Sequence, residues 1–274
     1  MEEVFNRVID SISEIVPQSE KEYLGSDGLL HCLYCHRNVQ TEVEFDNRKK
    51  IVRCICDCER KKLNAINERD KLDSIERQRK VCFSEAEMKN WNFKNDDRSN
   101  AELSDAMKKY VDNFEDFKKD GTGLLLHGEV GTGKTFYAAC VANALIDKGY
   151  TVLMTNFAKI TNTLFGMKEG KQEYIDNLNK YRLLIIDDLG IERNTEFMQE
   201  QVFNIIDSRY RTGLPFIITT NLSLVDISNT TDIAYARIYD RILERCFPIK
   251  VSGKSRRKDE FNKNYKNVKE KLGL

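Results

Sequence analysis

Proline is nearly missing from this chain: there are three in 274 residues, at positions 17, 215 and 248. A proline inside a helix removes a hydrogen bond and collides with the preceding turn, so its scarcity permits long uninterrupted helices. No apolar run approaches the ~20 residues that a helix needs to cross a bilayer. Net charge is absent as well, with 44 Lys and Arg against 44 Asp and Glu. That balance argues against a globally basic nucleic-acid binder and confines any such surface to a local patch. The opening residues, MEEVFNRVID, are acidic and lack the apolar core of a secretory signal. The expectation is a cytoplasmic protein with no membrane contact.

What the chain does contain is enough apolar surface for a core, 41% of residues beside 32% charged, which excludes wholesale disorder. The length suits one large domain plus a small one. Residues 1–16 carry Val4, Phe5, Val8, Ile12, Ile15 and Val16 at helical spacing. Such a helix either packs on its own domain or offers a stripe to a partner. The stretch ERKKLNAINERDKLDSIERQRK has neither Gly nor Pro and reads as an exposed connecting helix. A further helix is expected around residues 101–119.

Eight cysteines are present, and five of them (Cys32, Cys35, Cys54, Cys56 and Cys58) crowd into 27 positions. In a reducing compartment such crowding points to a metal rather than to disulfides. C-x-x-C, a gap of about twenty residues and C-x-C supply paired thiolates of the kind that tetrahedral Zn²⁺ takes. Five cysteines compete for four places, and His31 and His36 flank the first pair. The scattered Cys82, Cys140 and Cys246 read as small buried apolar residues.

From residue 123 the texture changes. GLLLHG, YTVLMTN, YRLLIID, PFIITTN and FPIKVSG alternate with helical stretches, which predicts an α/β domain with a parallel sheet flanked by helices. Pro215 and Pro248 are expected to introduce strands. GEVGTGKT, residues 128–135, fits G-x-x-x-x-G-K-[ST] and lies between a strand and a helix, the context this phosphate-binding motif requires. Gly128, Glu129, Val130, Gly131, Thr132 and Gly133 would present backbone N–H groups to phosphate at the positive end of a helix. Lys134 would meet the β- and γ-phosphates of ATP, Thr135 would ligate Mg²⁺, and Phe136 continues the helix.

LLIIDDLG, residues 183–190, then runs an apolar strand into two aspartates. A strand lying beside the P-loop and delivering carboxylate to the metal would account for them. Asp187 is expected to hold Mg²⁺ and Asp188 to orient and deprotonate water.

With these two motifs placed, residues 81–258 resemble the AAA+ ATPases of the DnaC/DnaI helicase-loader type, which overlap with the IstB transposition helpers. The residues that carry the likeness are GLLLHGEVGTGKTFYAACVANALIDKGY, LLIIDDLGIER, FNIIDSRYRTGLPFIITTNLS, RIYDRILERC and SGKSRR. The resemblance implies a P-loop AAA+ fold preceded by a small N-terminal zinc-binding domain and a helical linker. It implies that Asn221 positions water against the γ-phosphate. Arg241 would be a finger reaching a neighbouring subunit's nucleotide, with Arg237 as second candidate. Arg257 would be the sensor-2 arginine, with Arg256 as runner-up. Asp-Asp stands where most AAA+ proteins have Asp-Glu, which implies slow hydrolysis, and Glu192 is a candidate accessory. Relatives with an N-terminal zinc module place C-x-C before an acidic residue, as in CDCER here, which selects Cys32, Cys35, Cys56 and Cys58 and leaves Cys54 spare.

The implied function is an ATP-dependent loader that delivers a replicative hexameric DNA helicase onto single-stranded DNA, with a phage or mobile element as an expected source. The partners would be that helicase, single-stranded DNA and further copies of the chain through the ATPase domain. The expected boundaries are residues 1–60 for the zinc-binding, partner-binding domain, 61–100 for the helical linker and 101–274 for the ATPase domain. Lys159, Phe165, Lys168 and Lys171 are candidate DNA contacts. The alternatives are an IstB-type transposition helper on duplex DNA and an adaptor whose nucleotide is never hydrolysed.

Overall fold

The computed structural model of the chain describes residues 20–45, 48–190 and 195–272. The helix expected over residues 1–16 therefore lies outside the described residues. The chain divides into two compact units, Met1–Ser74 and Ile75–Leu274.

In the first unit two antiparallel ribbons form, β1 (Glu22–Leu24) with β2 (Leu30–Cys32) and β3 (Gln40–Phe45) with β4 (Arg48–Arg53). Among the described residues its buried apolar core consists of Leu30, Cys32, Val39 and Cys56. So small a core does not stabilise a fold alone and calls for a covalent or metal staple. Helix α1 (Asp57–Cys82) begins here and contains the division between the units. Acidic Asp57 and Glu59 open α1, and Arg79 and Lys80 close it, each matching the helix dipole.

The second unit is a three-layer α/β sandwich. Helices α2 (Ala101–Asp112) and α3 (Phe114–Asp120) precede β5 (Gly123–His127), so the single helix expected around 101–119 is divided at Asn113. Asn100 caps α2 by accepting the Leu103 N–H at 3.1 Å. Then follow α4 (Lys134–Asp147), β6 (Val152–Asn156), α5 (Phe157–Gly166), α6 (Lys171–Leu178), β7 (Leu183–Leu189), α7 (Glu196–Thr212) and β8 (Phe216–Thr220). The chain ends in α8 (Leu224–Ser228), α9 (Ile233–Arg245), β9 (Cys246–Lys250) and α10 (Arg256–Leu272).

The five strands are parallel and ordered β6-β7-β8-β5-β9. The aspartate-bearing β7 is therefore not adjacent to β5, as the sequence reading had it: β8 stands between them. The crossover from β6 to β7 stays on one side, and the later β8 inserts into the gap. Pro248 lies within β9 rather than ahead of it. It is tolerated because β9 is an edge strand, whose outer N–H groups have no ladder partner to lose.

Strands β5, β7 and β8 read as nearly continuous apolar runs because both sheet faces are covered. One face packs Leu124, Leu126, Ile185 and Ile217 under α2 and α4. The other packs Leu125, Leu184, Ile186 and Ile218 under α5, α7 and α9. Ala138, Ala139 and Ala142 keep α4 thin where it meets the sheet, and all three are wholly buried. Arg209 on α7 is wholly buried too. It donates to the carbonyls of Tyr181, Arg182 and Pro215, which ties α7 to the entrances of β7 and β8. Burial pushes its guanidinium down to about 10. Among the described residues, no helix is long and apolar enough to cross a membrane.

Candidate functional site

The loop between β5 and α4 turns on glycine. Gly131 and Gly133 have φ of +83° and +99°, in the left-handed region that strains L side chains. A Cβ on Gly131 would also fall 2.2 Å from Ser255 Oγ. Gly133 leads directly into α4, so the unpaired N–H groups of that helix start face the loop. Thr132 Oγ1 closes the turn by donating to the Glu129 carbonyl at 2.9 Å. Lys134 is 5% exposed, and its ammonium donates to Gly128 O at 2.9 Å, Glu129 O at 2.8 Å and Asn221 Oδ1 at 2.7 Å. Burial holds this ammonium below its ordinary value, against the opposing pull of Asp188 and Asp187.

Thr135 Oγ1 donates to Asp187 Oδ1 at 3.0 Å, joining the start of α4 to the end of β7 across the intervening strand. Thr219 on β8 completes the arrangement. Its hydroxyl donates to Asp187 Oδ1 at 2.5 Å and accepts the Asp188 N–H at 2.9 Å. Burial raises the Asp187 carboxyl above its ordinary value, and the neighbouring Asp188 charge adds to the rise while Thr219 and Thr135 oppose it. Asp188 has φ of +59°, a left-handed conformation that aspartate tolerates better than most residues. The β7–β8 register shifts between Ile186 and Leu189, so the two aspartates part company. Asp187 faces Thr135, and Asp188 lines the open cleft.

That cleft has a volume of about 490 Å³, bounded by Val130, Gly131, Gly133, Lys134, Thr135, Phe136, Asp188, Asn221, Arg256, Arg257 and Trp91. Its size is that of a small-molecule site. The fold thus brings together residues from five separate places in the chain: Trp91 ahead of α2, the P-loop, the end of β7, the residue after β8 and the first turn of α10. Arg256 and Arg257 both reach it, so the choice between them is not made by position alone. Four contributors were not legible in the sequence. Thr219 is hidden in the apolar run FIITT, Trp91 precedes the sheet by 32 residues, and Asp96 and Asp97, which hold Arg256, sit in a featureless polar loop.

The other arginines lie elsewhere. Arg241 on α9 donates from Nε to Asp207 Oδ1 on α7 at 2.8 Å, and its guanidinium lies 4.7 Å from the centre of the Phe203 ring. Arg237 lies on the same ring, also at 4.7 Å. Neither borders the cleft. Glu192 falls outside the described residues. Phe165 is 76% exposed and meets Phe197 edge-on at 5.8 Å, while Lys171 Nζ sits 5.4 Å over the Phe197 ring. Lys168 is exposed, and Lys159 Nζ is engaged with Ser84 Oγ at 2.8 Å.

In the first unit the sulfurs of Cys32, Cys35, Cys56 and Cys58 all lie within 4.8 Å of one another. Cys32 and Cys58 Sγ are 3.4 Å apart, and Cys56 and Cys58 Sγ 3.6 Å. Four thiolates around Zn²⁺ at ~2.3 Å would stand about 3.8 Å apart, so the cluster fits that ion. Backbone N–H groups of Arg37 and Cys58 pull Cys35 down to about 6, while the neighbouring Cys35 and Cys32 side chains push Cys58 up to about 12, so the crowded thiols do not share one protonation state. Cys54 is turned aside, its Sγ directed at the Asn38 carbonyl. His31 is engaged with Asp27 and with the His36 carbonyl.

Thr135 and Asp187 offer hard oxygens at the loop, the donor type that suits Mg²⁺. Residues 59–264 match the family model described as IstB-like ATP binding protein. The Replicative helicase loader DnaI of Bacillus subtilis (strain 168) is 27% identical over 149 residues, covering 50% of this chain and 48% of that protein. The Replicative helicase loader DnaC of Escherichia coli (strain K12) is 25% identical over 141 residues, covering 50% of this chain and 56% of that protein. The chain therefore spans about half the length of these curated relatives. A crystal structure of DnaI superposes with a TM-score of 0.56 at 25% identity, covering 66% of this chain and 99% of that one. Over three-quarters of its length, and with a P-loop ATPase fold behind the match, the chain belongs to the family of IstB-like ATP-binding proteins.

Proposed function

We propose that the chain is an ATP-driven loader that delivers a hexameric replicative helicase onto single-stranded DNA. The observation that carries the nucleotide half of this reading is the Thr135–Asp187 hydrogen bond beside a buried Lys134 at the mouth of one cleft. Resemblance to the two loaders carries the other half.

ATP would lie with its phosphates along the P-loop N–H groups. Lys134 exchanges its carbonyl partners for β- and γ-phosphate oxygens, and Asn221, released from Lys134, is left at the γ-phosphate to orient water. Asp188 stands at the cleft wall as the base for that water, and Arg257 neutralises charge on the phosphates. Thr135 and Asp187 would hold Mg²⁺, which supplies positive charge to the phosphate oxygens. Arg241, outside its own cleft, would serve the nucleotide of a neighbouring copy. The four cysteines would hold Zn²⁺ as a structural staple. The N-terminal region, residues 1–60, would grip the helicase, with residues 61–100 joining it to the ATPase domain at 101–274. Phe165, Lys168 and Lys171 offer a ring and cations to single-stranded DNA.

A pull-down with the full chain, with and without Mg·ATP, tests the reading. A hexameric helicase among the recovered proteins supports it. The family match favours a second reading, an IstB-type transposition helper on duplex DNA, and recovery of a transposase in place of a helicase would establish that one.

A further inference from the structure

The cleft contains two consecutive arginines, and their surroundings differ. Arg256 Nη2 lies 2.8 Å from Asp97 Oδ1, 3.1 Å from Ser99 Oγ and 3.7 Å from Asp96 Oδ1. Its guanidinium also stacks 5.2 Å over the Phe136 ring, and its backbone N–H donates to Gly131 O at 2.9 Å. Asp96 is no ordinary surface carboxylate: its side chain is 0% exposed, and it accepts the Tyr137 hydroxyl at 3.2 Å and the Arg98 N–H at 3.1 Å. Phe136 and Tyr137 directly follow Thr135. One compact network therefore joins the P-loop helix, the loop before α2 and the first turn of α10.

Arg257 lines the same cleft and is near enough to Lys134 for its charge to lower that ammonium. Neighbouring residues on a helix point about 100° apart. Two heads that diverge in this way meet different neighbours, and Arg256 meets the carboxylates. A guanidinium already committed to two carboxylates also offers little net charge to a phosphate.

We propose that Asp96 and Asp97 are positioning residues that hold Arg256 against the P-loop helix, so that Arg257 and not Arg256 is presented to the terminal phosphates of the nucleotide. This rests on the nucleotide-binding reading above. It assigns Arg256 an anchoring role and gives the polar loop at 96–99 a part in the reaction.

Calorimetric titration of the full chain with ATP and with ADP, in Mg²⁺, tests the proposal through the ratio of the two affinities. With both carboxylates present, Arg257→Ala lowers the ATP-to-ADP ratio about tenfold, the worth of one charge-assisted contact to the γ-phosphate. In a chain carrying Asp96→Asn and Asp97→Asn, Arg256 is released to stand in, and the same Arg257→Ala change costs less than about twofold. Asp97→Glu, which keeps the charge, restores the full cost in an Asp97→Asn comparison. A merely structural role would weaken both nucleotides equally and leave the ratio alone. Should Asp96→Asn prevent folding, Asp97→Asn alone carries the comparison, because the Asp97 side chain is 61% exposed. An Arg257→Ala cost that is the same in both backgrounds overturns the proposal, as does loss of discrimination through Arg256→Ala alone. If the unaltered chain binds neither nucleotide, the nucleotide-binding reading falls first and takes this one with it.

Discussion

The Lys134 ammonium donates to the Asn221 side-chain oxygen at 2.7 Å, so the P-loop and the end of β8 are linked directly through their polar groups. A cation that sits among three oxygen acceptors is ready to exchange them for phosphate. On the proposed reading Asn221 and Lys134 would act together: phosphate that took the cation would also free the amide.

Lys134→Ala should weaken Mg·ATP binding by about 100-fold or more, because a nearly buried charge that meets two phosphates is lost. Asn221→Ala should leave affinity within a few-fold and lower turnover about 10- to 100-fold. Equilibrium binding and phosphate release, measured on both variants, separate the two effects. Turnover in the unaltered chain that disappears in Lys134→Ala and in Asp188→Asn would rule out a non-hydrolysing adaptor.

Asp187 links stability to pH. Burial raises its carboxyl in the folded chain above the ordinary 3.8. The stability this contributes is complete below the unfolded value and disappears as pH rises through the folded value. Near neutrality the ionised group is therefore a cost in the nucleotide-free chain. Asp187→Asn keeps the Thr135 and Thr219 hydrogen bonds through its amide oxygen and removes that cost. It should raise the melting temperature by about 2–4 °C near pH 7, with the gain shrinking as pH falls. Magnesium dependence of ATP binding should vanish in the same variant. A gain that grows toward acid pH would show the sign to be wrong.

The four-sulfur cluster predicts one Zn²⁺ per chain. Cys56→Ser or Cys32→Ser should abolish zinc retention and unfold the first unit, since its apolar core is so small. Cys54→Ser should retain the metal, because the Cys54 sulfur faces the Asn38 carbonyl. Zinc content by atomic absorption, alongside protease resistance of residues 20–74, checks both. Chelation should leave ATP affinity of the second unit intact.

Arg241 is held by Asp207 within its own chain, away from its own cleft. If it serves a neighbouring copy, Arg241→Ala should lower turnover about 10³-fold with unchanged ATP affinity. Mixing Arg241→Ala with Lys134→Ala should recover part of the activity, since each copy supplies what the other lacks. No recovery at any mixing ratio would confine Arg241 to packing on Phe203 and on Tyr210, whose ring centre lies 5.8 Å from its guanidinium.

The P-loop and the paired aspartates were legible in the sequence because their chemistry is local. A tight glycine turn, a lysine and a hydroxyl must follow one another along the backbone, and the apolar runs around them record which strands are covered on both faces. The cysteine pairs were legible for the same reason, since each knuckle is only a few residues long. Strand order was not. Nothing in the chain says that β8 will insert between β5 and β7, because that depends on how helices on two faces share the sheet. Nor did the residues themselves separate Arg256 from Arg257, which only the family resemblance ranked, or point to Asp96, 160 residues earlier. Adjacent arginines are identical as letters, and they differ only in which carboxylates the packed tertiary structure brings to them. Contiguous chain decided what chemistry was available; burial and the meeting of distant segments decided which side chains stand together in the cleft.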